Sequence, residues 1–494
     1  AVDAAIATAA CLTVVEPSCN GIGSDAFAIV WMKDKMYGLN SSGRSPESIS
    51  IEKVKAQGNE EKMPVYGWTP VTVPGAPKAW VELSKRFGKL SLKETLEPAI
   101  RYATEGFPLS PMIASGFEKA TEKFKKAFGD KKEFSEWFRV FTKKGESYSF
   151  GDIVKLPDHA RTLKLIAETE GKAFYEGEIA EAIDAQSKRD GGYITKEDLK
   201  KHEVIWSEPI GVEYRDGYKV WELPPNGQGI VALMALNMLR NFEFKEQGSS
   251  ETLHKQFEAI KLAFADAKRY VTDPDEMELD FHRFLTPEYG KSRSEDIGER
   301  AAEPEFKEPP KSGTVYLCTA DKDGNMVSFI QSNYMGFGSG IVVEGYGVAL
   351  QNRGADFSLD PENVNCLKPA KRTYHTIIPG FLTRNGKAVG PFGVMGGYMQ
   401  PQGHVQVAMN FIDFHLNPQM ALDAPRWQWM KDKEFTMEKG FNGAVIEKLT
   451  RLGHEIKIPP ESTGFGRGQM IVRLDNGVLV GGCESRTDSN IACW

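Results

Sequence analysis

At 494 residues and a net charge of −7, the chain is long enough for two domains or one large layered α/β unit, and it lacks the basic excess of a nucleic-acid binder. Its 41% hydrophobic content supplies a packed core, but no run of about 18 apolar residues offers a membrane-spanning helix. Six scattered cysteines (Cys11, Cys19, Cys318, Cys366, Cys483, Cys493) form no C-x-x-C, and no H-E-x-x-H occurs, which points to reduced thiols, no metal and no cofactor.

The first fifteen residues, Ala1 to Val15, read as an Ala-rich helix suited to close packing on a sheet, ended by Glu16-Pro17. No secretion signal stands at the start, which favours a cytoplasmic location. The chain nevertheless opens inside a helix, so the compartment is left open. Gly21-Ile22-Gly23 turns into a strand through Val30, and Asn40 to Pro46 forms a loop carrying Arg44. Apolar residues at Trp80, Leu83 and Phe87, then Leu92, Leu96, Ile100 and Ala103, predict two amphipathic helices of scaffold character. Residues 112–205 alternate charges and aromatics, as solvated helices with buried aromatic ridges do. Pro224 to Gly229 precedes a helix over Ile230–Leu239, and His254 to Asp275 reads as a helix ended by Pro274, with Asp266 and Lys268 as surface charges. Glu299 to Ser312 is polar, aperiodic and proline-bearing, an exposed linker.

The stretch that follows carries the chemistry. Val315, Leu317 and Thr319 alternate with Tyr316 and Cys318 as in a strand; Asp321 to Asn325 is turn chemistry, and Met326 to Gln331 returns. Thr314 thus opens a hairpin directly after Gly313. A threonine there can attack the Gly313 carbonyl, cut the chain and acquire a free α-amine, which then serves as base for its own hydroxyl. That amine has a reference pKa of about 7.7–8.0, suited to base work near neutral pH.

GTVYLCTADKDGNMVSFIQSNYMGFGSG resembles the small-subunit start of the γ-glutamyltranspeptidase family, in particular its acylase-like subgroup within the N-terminal nucleophile hydrolases. AVDAA, VVEP, VPG, GGYITKEDL, LPPNGQG, Met395-Gly396-Gly397, LDAPRW and FGRGQ follow in the order the family shows, so the resemblance covers nearly the whole chain. It implies an α/β fold, the four-layer αββα sandwich. It further implies a large-subunit segment 1–313, a small-subunit segment 314–494 and cleavage between Gly313 and Thr314. The two pieces would share one fold and stay associated, with a homo-oligomer possible.

The resemblance also assigns residues. Thr314 is the nucleophile, Ser332 the hydroxyl that supports it, and the N–H groups of Gly396 and Gly397 the oxyanion hole. Asp356 falls on the aspartate that receives a donor's α-amine, and Asn352 on one of the paired asparagines. The family's carboxylate-binding arginine falls on Ser42, so Arg44, two residues on, is the candidate for that bond. Asn333 and Tyr334 replace the usual Leu/Ile-Asn pair, and His375 and Thr376 stand where transpeptidases carry two serines. His404 and Arg426 read as structural. The departures leave the acyl group open between γ-glutamyl, as in glutathione, and a glutaryl-type group, with hydrolysis favoured over transfer. An unprocessed homologue that only binds a small-molecule ligand is the remaining alternative.

Overall fold

The computed structural model describes residues 1–303, 313–462 and 464–493, so the expected linker lies outside the described residues from position 304 onward. Its main strands are β1 (Asp25–Met32), β2 (Lys35–Ser41), β3 (Ile205–Ser207), β4 (Ile210–Glu213), β5 (Tyr218–Glu222), β6 (Gly313–Ala320), β7 (Met326–Tyr334), β8 (Gly380–Arg384), β9 (Lys387–Met395), β10 (Arg467–Arg473) and β11 (Leu479–Cys483). One sheet has the order β3-β2-β1-β7-β6 and the other β11-β10-β9-β8-β5-β4. Each sheet mixes strands from before and after residue 313. In the first, β1 is antiparallel to both β2 and β7, with Ala26 opposite Ser41 and Gln331.

Strand alternation sorts the side chains into layers. Ala26, Ala28 and Val30 of β1 join an apolar cluster with Ala5, Ile6 and Ala9 of α1 (Val2–Val15). Phe27, Ile29 and Trp31, on the other face, meet Leu223, Phe381 and Met395 from the second sheet. The outer face of that sheet, including Leu382, Phe392 and Val394, packs on α2 (Gly229–Leu239), α3 (Ser250–Tyr270) and α4 (Met399–Ile412). Helices therefore cover the outer faces of two sheets packed on one another. Small residues on α1 and β1 let that helix sit close to its sheet, while each large inter-sheet side chain contributes about 1.5–3 kcal/mol of burial. The helix α2 is buried along its whole length, which accounts for its lack of a polar face.

The aromatic ridges of residues 112–141 have a definite task. Phe117, Trp137 and Phe141 surround Phe337, with ring centroids 4.9–5.3 Å away, and so fix the chain just after β7.

Candidate active site

Thr314 lies at an irregularity. The β6–β7 register shifts between Gly313 and Val315, so the single residue Thr314 faces two residues of β7, Ser332 and Asn333, at a bulge in that strand. Its Oγ1 donates to Ser332 Oγ at 3.1 Å, and the Ser332 hydroxyl donates to the Gly313 carbonyl at 2.7 Å. Tyr334 N–H donates to the same Ser332 oxygen at 2.8 Å and fixes it. One hydroxyl therefore joins Thr314 Oγ1 to the carbonyl of Gly313. Thr314 and Ser332 are both buried.

In the second sheet, β9 ends shortly before α4 begins, at the glycine pair. Gly396 has φ +137° and Gly397 φ +61°, backbone conformations that disfavour side chains. A Cβ on Gly396 would also stand 3.1 Å from Gly466 Cα. The pair precedes a helix, where N–H groups lack intrahelical acceptors and can receive an oxyanion. Gln228, at the start of α2, donates through Nε2 to the carbonyls of Thr376 (2.6 Å) and Gly397 (2.8 Å), holding the two loops in register.

A charged wall completes the site. Tyr334, in a left-handed conformation at φ +77°, donates to Asp356 Oδ1 at 3.2 Å, and Tyr398 donates to the same oxygen at 2.9 Å. Burial, then the Asp356 charge, hold both phenols well above their ordinary pKa, so they remain donors. The Lys268 ammonium bonds the Tyr398 hydroxyl and lies 3.9 Å from the Tyr374 ring centroid and 4.3 Å from that of Tyr398. Arg353, only 1% exposed, stacks 4.1 Å from the Tyr334 centroid and donates through Nη1 to Thr376 Oγ1 at 2.7 Å. Its Nη2, and Oδ2 of Asp356, have no hydrogen-bond partner among the described residues.

A sequence model described as Gamma-glutamyltranspeptidase matches residues 1–494. The chain belongs to the γ-glutamyltranspeptidase family. It is 36% identical to a glutathione hydrolase-like proenzyme of Bacillus subtilis, over 99% of this chain and 93% of that one. It is 31% identical to the oxamate amidohydrolase proenzyme of Klebsiella pneumoniae, over 100% of this chain and 94% of that one. Among solved structures, a cephalosporin acylase from Bacillus halodurans superposes with a TM-score of 0.97 at 55% identity, covering 100% of this chain and 91% of that one. The protein is thus an enzyme of the γ-glutamyltranspeptidase and acylase type, with the fold of that family.

Within this family framework several expected assignments change. Arg44, the candidate for the acyl carboxylate, is committed elsewhere: Nη1 bonds Asp273 (2.9 Å) and the Ala370 carbonyl (2.7 Å), and Nη2 bonds Asp275 (2.6 Å). His375 is not a free substrate ligand. Its Nε2 faces Asp25 Oδ2 at 3.0 Å and its Nδ1 accepts Ile377 N–H at 3.3 Å. Burial, aided by Arg353, holds it well below the usual imidazole range, so it is neutral. Asn352 uses its carbonyl on Met335 N–H and its amide on the Val65 carbonyl, a scaffold role. Asn333 accepts from Ser24 Oγ at 2.8 Å, with its amide nitrogen left unpartnered. Thr376 accepts from Arg353 through its hydroxyl and from Gln228 through its carbonyl. Lys268 is not a surface charge. His404 and Arg426 bond Glu222 (2.6 Å) and Glu484 (2.7 Å), as structural residues do.

Arg353 itself escaped the sequence reading. Its one signal is a cation directly after Asn352, within the stretch that also carries Asp356. Away from this site, His254, Glu258 and His454 group possible ligand atoms within 4.8 Å. The two imidazoles bond one another at 2.8 Å and Lys261 pairs with Glu258 at 2.6 Å, while His454 Nδ1 has no hydrogen-bond partner among the described residues.

Proposed function

We propose that this protein is a self-cleaving N-terminal threonine amidohydrolase. The observation that carries this reading is the Ser332 hydroxyl set between Thr314 Oγ1 and the Gly313 carbonyl. In processing, Oγ1 attacks that carbonyl carbon while Ser332 stabilises its oxygen. The amide becomes an ester, and water then releases Gly313 as a carboxylate and Thr314 with a free α-amine. The segments 1–313 and 314–494 are the two subunits of one fold.

In turnover the α-amine takes the Oγ1 proton as Oγ1 attacks a substrate amide. The N–H groups of Gly396 and Gly397 receive the oxyanion, each such donor being worth about 2.7–4 kcal/mol. The proton passes to the departing amine, and an acyl ester remains on Thr314. Water, or the amine of an amino acid or peptide, then takes the acyl group. A γ-glutamyl compound such as glutathione is one donor class. An acylase-type amide is the second, favoured by the engagement of Arg44 with Asp273 and Asp275, which takes that arginine away from a glutamyl α-carboxylate.

Intact mass of the purified protein beside Thr314→Ala tests the reading. Wild type yields fragments of about 35 and about 20 kDa by chain length, the smaller beginning at Thr314, and the variant stays whole. A single chain in both, with no amidase activity, leaves a binding protein on an enzyme scaffold.

A further inference from the structure

We propose that His254, Glu258 and His454 form a binding site for a divalent transition ion of the zinc class, and that the ion braces the segment that runs from Gly298 towards Gly313. The site lies on α3, in the helical layer outside the second sheet, and does not depend on Thr314 being the nucleophile.

The first argument is the donor set. His254 and Glu258 stand four positions apart on α3, which puts both on one face of the helix. His454 enters from the residue before the strand Glu455–Lys457. Its Nε2 lies 2.8 Å from His254 Nδ1 and 3.9 Å from Glu258 Oε1. Donor atoms around a tetrahedral zinc ion stand roughly 3.4 Å apart, so these two separations bracket the spacing a shared ion needs. Two imidazoles and one carboxylate suit an ion of this class, whereas calcium and magnesium take oxygen ligands.

The second argument is what the three groups leave unmet. The Gly298 carbonyl only accepts, so His254 Nε2, at 3.0 Å, carries the proton and Nδ1 presents a lone pair to His454. A backbone carbonyl orients metal-ligating histidines in the same way. His454 Nε2 then donates, which leaves its Nδ1 buried without a partner. With an ion on Nε2 the proton resides on Nδ1, and no donor opposes that tautomer among the described residues. Phe257 and Phe435, edge-on at 5.0 and 5.4 Å, hold the ring. Glu258 Oε1 lies 2.6 Å from Lys261 Nζ without a directed hydrogen bond, while Oε2 accepts from Ala302 N–H at 3.2 Å. Lys261 is therefore the ion's competitor, and on metal entry its ammonium keeps the Ala302 carbonyl at 2.6 Å. Of the neighbouring charges, Lys255 turns to the Ile297 carbonyl and Lys433 pairs with Glu303.

The third argument is position. The three side chains belong to residues no more than 4% exposed, too buried to meet a substrate, so the ion's task is structural. His254 and Glu258 precede Gly313 and His454 follows it, so one ion joins the two proposed subunits. The same cluster holds the chain at Gly298 and Ala302, and Ala301 N–H bonds the Leu452 carbonyl at 2.9 Å.

The test titrates Zn²⁺ and Co²⁺ into chelator-treated wild type, His454→Gln, Glu258→Gln and Lys261→Met, reading bound metal by mass spectrometry and stability by thermal melting. Wild type should bind one equivalent, melt higher with the ion and exchange the Ala301 and Ala302 amides more slowly. H454Q and E258Q should each lose about 100-fold in affinity, and K261M should gain about tenfold. Equal affinity in wild type and H454Q would overturn the site, and amide exchange unchanged by the ion would overturn the bracing role. Should the variants fail to fold, the Co²⁺ spectrum of wild type decides. Tetrahedral bands without thiolate charge transfer support the proposal, whereas thiolate charge transfer puts the ion on a cysteine and overturns it. Cleavage is scored separately by intact mass: an uncut chain that binds the ion leaves this proposal standing, and a cut chain that binds none overturns it.

Discussion

Two buried arginines show how differently the same side chain is used. Arg426 is surrounded by acceptors: Glu484 at 2.7 Å and the carbonyls of Leu422, Phe465 and Gly466 at 3.0–3.1 Å, with only Nε left over. Glu484 in turn accepts from Gly468 N–H and from Arg486. Arg353 is as deeply buried but has one hydroxyl, one aromatic face and an open nitrogen. The first closes a network that ties the last hairpin, β10–β11, to the segment before Trp427. The second is left with a nitrogen that has no hydrogen-bond partner among the described residues. Saturation marks a cation that serves the fold, and incomplete partnering marks one available to a ligand.

Substitution can break that contrast. Arg426→Met leaves Glu484 buried with Arg486 as its remaining cation, and should cost about 3 kcal/mol in denaturant-melting experiments. Arg353→Met replaces a guanidinium lacking a carboxylate with an apolar chain, and should change stability by about 1 kcal/mol or less, with stabilisation a possible sign. Equal losses in the two variants would erase the distinction. The smallest effect concerns pH. Burial raises Asp25 to about 7, though Arg353 and nearby N–H groups pull it down. Its proton thus favours the folded state, a contribution present below the ordinary value of 3.8 and lost as pH rises towards 7. Glu438, beside Arg426, has the opposite sign: burial raises it, but bonds from Arg486 and the Arg426 N–H prevail and lower it. Its contribution is present above 4.5 and lost as pH falls. Asp25→Asn should therefore gain stability relative to wild type as pH rises from 3.8 towards 7, read in calorimetry. Glu438→Gln should narrow its deficit only below pH 4.5.

The sequence revealed features written in neighbouring residues. The Thr314 hairpin, the glycine pair and the helices over 76–87, 92–105 and 250–270 follow from alternation, turn chemistry and periodicity. The bulge at Thr314 is a matter of register between two strands, and composition does not encode it. Lys268 sits on an amphipathic helix next to Arg269 and reads as solvated; only packing of that helix against Tyr374 and Tyr398 turns its ammonium inward. Arg44 occupies a plausible loop, but Asp273 and Asp275, more than two hundred residues away, claim it. His375 looked available for the same reason: its partner Asp25 is 350 positions distant. Charge pairing across such separations follows from the tertiary fold.

The place of β6 in its sheet bears on the proposed self-cleavage. It is the outermost strand, hydrogen-bonded on one side only, and the pairs from Val315–Gln331 to Ala320–Met326 all lie beyond Gly313–Thr314. The proposed scission would resemble trimming the selvedge of a cloth: those pairs stay in the weave, and of the β6–β7 pairs only Gly313–Tyr334 lies on the other side of the cut. On that proposal, activation would be a local edit of an already folded molecule, with no need to take the fabric apart.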